Sequence, residues 1–270
     1  MLLLCLKTTR ECYQCPYKLY NGDCLEVMQD IQKESIDFIL CDLPYGVTDC
    51  EWDNIIPFPD LWEQYKRVIK PNGAIALFSI QPFTTKVIQS NLKDFRYCWY
   101  WKKNNKTGAP FAKVQPMRCI EDICIFYKHK PTYNPQGIKK LDKPIIKQKK
   151  TKNGVYEAFR GKAKPQLYTN YPVNLIEFDG VNSKERQHPT QKPVALLEYL
   201  IKTYTNEGET VLDNCIGSGS TGVACVNTGR KFIGIEKDTK YYQISLNRVK
   251  EQLQKSGCFF NTNLVHYADI

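Results

Sequence analysis

The pentapeptide Asp42-Leu43-Pro44-Tyr45-Gly46 stands at the end of an apolar run, Ile36-Asp37-Phe38-Ile39-Leu40-Cys41. An acid, a stiff turn and an aromatic ring in that order, just past a buried strand, can hold a flat polar molecule by its amino edge and its face. These are the smallest set of groups needed to work on an exocyclic amine of a base.

A second stretch, far along the chain, has the chemistry of a ligand cradle. Asn214-Cys215-Ile216-Gly217-Ser218-Gly219-Ser220-Thr221-Gly222 follows the apolar strand Thr210-Val211-Leu212-Asp213 and opens a helix. Such a turn gathers backbone N–H groups and a positive helix end at one point, and the missing β-carbons of Gly217 and Gly219 let a ligand approach the main chain. No Gly-Lys-Ser/Thr ends it, so it is not a Walker A loop. A dinucleotide and an adenosine-containing cofactor would fit it equally well. Glu236 ends the next strand, Lys231 to Glu236, where an acid is placed to accept both hydroxyls of a ribose.

The elements that must position these groups are readable in order. Tyr20-Asn21-Gly22-Asp23 reads as a short strand and a turn, and Leu25, Met28 and Ile31 recur at helical spacing. The stretch Asp60–Ile69 carries one buried helical face, which Lys70-Pro71-Asn72-Gly73 stops. Residues 74–80, 95–101 and 119–127 read as strands, with a helix starting at Gln81-Pro82-Phe83. Helices are expected over Val194–Tyr204 and from Thr239 onward, the latter carrying Tyr242, Leu246, Val249 and Leu253. Alternating strands and helices predict an α/β fold with a mainly parallel sheet.

Composition bounds the rest. The chain of 270 residues is 42% hydrophobic, which suits one large domain or one domain with an inserted lobe. No apolar run approaches the roughly 20 residues of a membrane span, and Met1–Leu6 is too short for a signal-peptide core. An intracellular, cytoplasmic protein is expected. Several of the twelve cysteines, Cys41, Cys98, Cys124 and Cys225 among them, sit in apolar runs and read as reduced small hydrophobes. Cys12-x-x-Cys15, with Cys5 and Cys24 nearby, lacks a second matched pair, so no metal is assigned.

A net charge of +10 fits a polyanionic partner. The charge is uneven. Between residues 128 and 186 the hydrophobic period lapses, and Lys139, Lys140, Lys147, Lys149, Lys150, Lys152, Arg160 and Lys162 crowd together among tyrosines. Interleaved aromatics between two ordered halves predict an inserted lobe that grips a nucleic-acid backbone.

Asp42-Leu43-Pro44-Tyr45 resembles the catalytic tetrapeptide of the amino-methylating DNA methyltransferases, usually Asp-Pro-Pro-Tyr or Asn-Pro-Pro-Tyr. Leu212-Asp213-x-x-x-Gly217-Ser218-Gly219-Ser220-Thr221 resembles their S-adenosylmethionine loop. His188-Pro189-Thr190-Gln191-Lys192-Pro193 is similar to the segment that flanks the cofactor. With the tetrapeptide early and the cofactor loop late, the order resembles the β class of that family. The resemblance covers roughly residues 17–250.

It implies a Rossmann-like methyltransferase fold: a seven-stranded, mainly parallel sheet with helices on both faces and circularly permuted motifs. The strands before Asp42 and before Gly217 should then lie side by side. The implied domains are an extension at 1–16, a methyltransferase domain at 17–250 with a target-recognition lobe at 128–186, and a tail at 251–270. The implied cofactor is S-adenosylmethionine, held by Asp23, Thr190, Lys192, Pro193, Asp213, Gly217, Ser218, Gly219, Ser220 and Glu236.

The implied partner is double-stranded DNA, with no membrane; dimerisation, known in the group, is not visible in the sequence. Catalysis falls to Asp42 through Tyr45. Asp42 and the carbonyl of Leu43 would accept hydrogen bonds from the NH₂ of a flipped adenine, localising the N6 lone pair for direct in-line methyl transfer, while the base stacks on Tyr45. N4 of cytosine requires the same amine chemistry and remains a second reading. RNA or glutamine-amide methylation, or a silent DNA-binding homologue, are further ones. Asn214-Cys215 departs from the Pro-Phe common in the family, and without a Pro-Cys dipeptide Cys215 is not read as a nucleophile.

Overall fold

The computed structural model describes residues 16–46, 54–146 and 165–257, except 183, 185 and 189. Cys5, Cys12, Cys15, Lys147, Lys149, Lys150, Lys152, Arg160, Lys162 and Pro189 lie outside the described residues. In chain order the elements are β1 (Tyr17–Asn21), α1 (Cys24–Val27), β2 (Ile36–Cys41), α2 (Phe58–Val68), β3 (Ile69–Ser79), α3 (Phe83–Ser90), β4 (Phe95–Thr107) and β5 (Arg118–Phe126). They continue as β6 (Lys139–Ile145), β7 (Gln166–Thr169), β8 (Leu175–Glu177), α4 (Val194–Tyr204), β9 (Thr210–Asp213), α5 (Ser220–Thr228), β10 (Lys231–Glu236) and α6 (Thr239–Lys255).

β2 forms where aromatic and branched residues follow one another and both faces can be covered. Its side chains alternate between two cores. Phe38 and Leu40 join α4, α5 and α6 on one face, while Ile39 and Cys41 join α1, α2 and α3 on the other. Helices therefore cover both faces of the sheet. On α4, Leu196, Leu197, Leu200 and Ile201 are buried, each worth about 1.5–3 kcal/mol relative to exposure.

The main sheet runs β1-β10-β9-β2-β3-β5-β4-β8. The pairs from β1 to β3 are parallel, β5 is antiparallel to both β3 and β4, and β8 is parallel to β4. β2 and β9 are neighbours in register, Phe38 facing Val211 and Ile39 facing Leu212. The parallel arrangement and the side-by-side placement expected from the resemblance are both present.

The strand count differs from expectation: eight rather than seven among the described residues. The eighth is β8, from the stretch whose sequence shows no period. It is three residues long with only Ile176 buried, and joins the edge at Tyr100–Lys102. A short edge strand is recruited by main-chain pairing, which leaves little trace in side-chain pattern.

The described residues divide into two compact units: Pro135–Val173, and the remainder. The smaller unit is narrower than the 128–186 stretch, because residues 174–186 include β8 of the main sheet. Within it β6 and β7 form a two-stranded antiparallel sheet, Lys139 facing Thr169 and Lys140 facing Tyr168. At the C-terminal end α6 runs to Lys255 with Leu253 buried, so the last turn of this helix belongs to the domain rather than to a tail from 251. No helix among the described residues is long and apolar enough to cross a membrane.

Candidate active site

Because β2 and β9 are adjacent and parallel, the chain leaves both at the same edge of the sheet, where open α/β sheets bind ligands. The turn after β2 carries Asp42 to Tyr45, and the turn after β9 carries Asn214 to Gly219. Both open on one cavity of about 730 Å³. Asp23, Thr190, Lys192, Asp213, Ser218, Ser220 and Glu236 line it with Asp42, Leu43, Pro44, Tyr45 and Gly217.

Two of the residues expected there do not line the cavity. Pro193 stands at the N-terminus of α4. Gly219, at φ +83°, turns its α-carbon toward α6, where an added β-carbon would meet the Cα of Ser245 at 2.9 Å. The absent side chain of Gly219 therefore serves close helix packing rather than ligand approach. Gly217, at φ +53°, does face the cavity, and a β-carbon there would only touch the His188 ring at 3.7 Å. Lys139 and Lys140 lie on β6 of the smaller unit.

The acids around the glycine loop are held by main-chain donors. Glu236 Oε2 accepts from Gly217 N–H at 2.8 Å and Oε1 from Asp238 N–H at 2.9 Å, which fixes the carboxylate at the loop while each oxygen keeps a second acceptor position. Burial raises its pKa. Asp23 caps α1 by accepting from Leu25 N–H at 2.9 Å, and its other oxygen pairs with Lys237 at 3.1 Å. Asp213 is spent on the loop itself, accepting from Cys215 N–H at 3.1 Å and from the Thr221 hydroxyl at 2.6 Å, and burial pushes it up to about 6.

The tetrapeptide side is a charged cluster. Leu43 is buried beneath it, in the core with α2 and α3. Tyr45 Oη donates to Asp42 Oδ1 at 2.5 Å, and the Lys192 ammonium lies 2.5 Å from Asp42 Oδ2. The same ammonium is 3.6 Å from Glu121 Oε2 on β5, while Lys103 on β4 holds Glu121 Oε1 at 2.5 Å. Burial raises Asp42 above the ordinary carboxylate range, and Lys192 opposes that shift. Burial would also raise Glu121, but Lys192 and Lys103 hold it below its usual value. Lys192 is raised, because the two carboxylates outweigh its own burial. Burial, followed by the charge of Asp42, drives the Tyr45 phenol well above its usual range.

The sequence motif assigns Lys192 to the cofactor side; the structure puts its ammonium on Asp42. Lys103 and Glu121 are absent from the residues expected at the site. Their signal is a charge in the middle of each of two aromatic and aliphatic strands, β4 and β5. Two supports of the glycine loop are likewise missing from the sequence reading. Tyr65 of α2 donates to Asn214 Oδ1 at 2.5 Å, and Arg248 of α6 donates to the Ser218 carbonyl at 2.6 Å and reaches the Ser220 hydroxyl at 3.2 Å. The His188 ring packs edge-on against Tyr241, centroids 4.2 Å apart.

A family profile described as DNA methylase matches residues 36–247. The type II methyltransferase M.HpaI of Haemophilus parainfluenzae is 29% identical over 253 residues, 87% of this chain and 74% of that protein. The DNA adenine methyltransferase YhdJ of Escherichia coli (strain K12) is 28% identical over 254 residues, 86% of this chain and 82% of that protein. Among solved structures, the M1.HpyAVI–SAM complex matches with a TM-score of 0.58 at 26% identity, over 86% of this chain and 99% of that one. The cytosine-N4-specific PvuII DNA methyltransferase shares the fold, with a TM-score of 0.62 at 18% identity over 93% of this chain and 90% of that one.

Proposed function

This chain belongs to the DNA methylase family, and from that membership we propose that its substrate amine is N6 of adenine in a specific duplex site. It is a DNA methyltransferase of the amino-methylating group, with S-adenosylmethionine as its cofactor. The observation that carries the reading is the convergence of two turns, after β2 and after β9, on one cavity.

The cavity suits a nucleoside that bears a positive charge. Glu236 and Asp23 supply carboxylates, Gly217 supplies backbone without a side chain, and Thr190 and Ser218 add polar groups along the wall. These residues would hold the cofactor, which when bound supplies an electrophilic sulfonium methyl group. On the other side, Asp42 and the carbonyl of Leu43 accept hydrogen bonds from the target NH₂ and localise its lone pair. Tyr45 is the stacking platform for a base turned out of the duplex. Leu40, Phe78 and Leu197 add apolar surface to the cavity lining.

Asp at the head of the tetrapeptide supports adenine, since the cytosine-directed group more often carries Ser there. The relative from Escherichia coli, named as an adenine methyltransferase, supports it as well. The lysines of β6 and of the following stretch hold backbone phosphates. A cytoplasmic setting, where bacterial DNA is accessible, goes with this activity.

The test is to incubate purified protein with methyl-labelled cofactor and mixed-sequence DNA, then digest to nucleosides. N6-methyl-2′-deoxyadenosine is the expected labelled product. N4-methylcytosine alone would overturn the adenine reading, and labelling of RNA but not DNA would overturn the DNA reading.

A further inference from the structure

Asp42 is the acceptor on which the chemistry depends, yet in this structure both of its oxygens are engaged, Oδ1 by the Tyr45 hydroxyl and Oδ2 by the Lys192 ammonium. Each oxygen keeps a second acceptor position, but the ammonium against Oδ2 draws off the negative charge that a target amine would meet there. Lys192 is nine-tenths buried and sits between two carboxylates, 2.5 Å from Asp42 Oδ2 and 3.6 Å from Glu121 Oε2. Glu121 Oε2 is buried and accepts no hydrogen bond, although its twin Oε1 is held by Lys103 at 2.5 Å. A buried carboxylate oxygen left without a hydrogen bond is costly, and this one lies 3.6 Å from the ammonium that pairs with Asp42. The Lys192 ammonium therefore lies between two carboxylates, hydrogen-bonded to Asp42 and in a longer ion pair with Glu121.

We propose that Glu121 is a positioning residue that shares Lys192 with Asp42 and draws the ammonium onto its own Oε2 when the target amine arrives, uncovering Asp42 Oδ2. Glu121 touches neither base nor cofactor in this scheme; it acts through Lys192. Lys103 sets the balance. By neutralising Oε1 it moderates the pull of Glu121, so that at rest the ammonium stays on Asp42. The four charges, Lys103, Glu121, Lys192 and Asp42, sum to zero, so the ammonium shifts without creating an uncompensated buried charge. The proposal rests on the amine-methylation reading for its purpose, but the coupling itself is a property of this chain alone.

The groups that face Asp42 are Lys192 from the segment before α4, Glu121 from β5, Tyr45 from its own turn, Cys41 from the end of β2 and Asp213 from the end of β9. Removing the charge of Glu121 leaves Lys192 wholly to Asp42, and the acid becomes harder to protonate. Removing Lys103 strengthens the pull of Glu121, and Asp42 becomes easier to protonate.

The experiment is a carboxyl NMR titration of the full chain labelled with ¹³C-aspartate, in which Asp42 is assigned by the signal that disappears in D42N. The Asp42 midpoint should move to lower pH in E121Q, to higher pH in K103M, and back toward wild type in E121D. Methyl transfer by E121Q under single-turnover conditions should fall on the order of 10- to 100-fold, the range for a mispositioned catalytic group, with cofactor affinity within about twofold of wild type. An Asp42 midpoint unmoved in both E121Q and K103M would overturn the proposal. So would a slower rate in E121Q with no shift, which marks a merely structural role. Since the titration needs no turnover, a wild-type protein that methylates nothing would overturn the proposed function while these shifts still decide the coupling.

Discussion

The hydroxyl of Tyr45 donates to Asp42 Oδ1 at 2.5 Å while its ring lies 4.9 Å from the ring of Phe83. One side chain thus caps Asp42 and packs against the ring of Phe83. The ring and the hydroxyl have separable duties, which two substitutions distinguish. Y45F keeps the stacking surface and should methylate DNA within a fewfold of wild type. Y45A should lose about 1–3 kcal/mol of base stacking, read as weaker binding to duplex carrying a fluorescent analogue at the target position and as disappearance of its flipped-out signal.

Replacing Asp42 by Ala removes the acceptor for the amine but leaves the glycine loop intact, since that loop is held by Glu236, Tyr65 and Arg248. Methyl transfer should vanish in labelled-cofactor assays, with cofactor affinity by calorimetry retained within a fewfold. Parallel loss of both would place Asp42 in cofactor binding instead.

Gly217 and Gly219 should fail in different ways. G219A forces a left-handed backbone and drives a β-carbon to 2.9 Å from Ser245, at a combined cost of about 2–5 kcal/mol. Urea unfolding should show most of that loss. G217A meets only the His188 ring at 3.7 Å, so its stability should fall by no more than the backbone term, about 1–2 kcal/mol. Cofactor affinity should suffer more in G217A, since that position lines the cavity.

Two titrating groups give opposite pH signatures. His188 is lowered from 6.5 to about 4 by burial and by the Lys192 charge, against Asp238. A neutral half-buried imidazole stabilises the fold above its unfolded pKa, and that contribution is lost as pH falls through about 4. Wild type should therefore gain on H188Q as pH rises from about 4 to 6.5. Asp213 is raised from 3.8 to about 6, so its contribution is complete below 3.8 and lost as pH rises through 6. Wild type should lose ground to D213N over that window. Urea midpoints at half-unit pH steps check both signs.

For the lysines of β6, K139A and K140A should each weaken DNA binding and flatten its salt dependence. Each phosphate that a variant no longer neutralises should reduce the log–log slope by about 0.9. An unchanged slope in the double variant would argue against phosphate binding by this strand.

Strands β2, β9 and β10 and helix α4 were legible in the sequence to their end residues, because each combines a mainly apolar stretch with a clear terminator. Asp42 and Glu236 were legible as well, since an acid directly after such a run must sit at the strand's end. Membership in an amino-methylating family also followed from local motifs, whose residues are close together along the chain. β8 was not legible: three residues paired through their main chain carry no period. Nor was the work of Gly219, because a missing β-carbon does not say whether a ligand or Ser245 fills the space.

What the sequence by itself determined, then, is which groups stand at which strand ends, because side-chain alternation and turn chemistry act over a few residues. The tertiary structure alone decided which of those groups meet. Lys192 reaches Asp42 across 150 positions, and Lys103 and Glu121 join them only because β4 pairs with β5 in a register that sets Trp101 opposite Glu121. Electrostatic coupling falls off with distance in space, not along the chain, so the charge state of Asp42 is a property of the folded sheet and not of any motif within it.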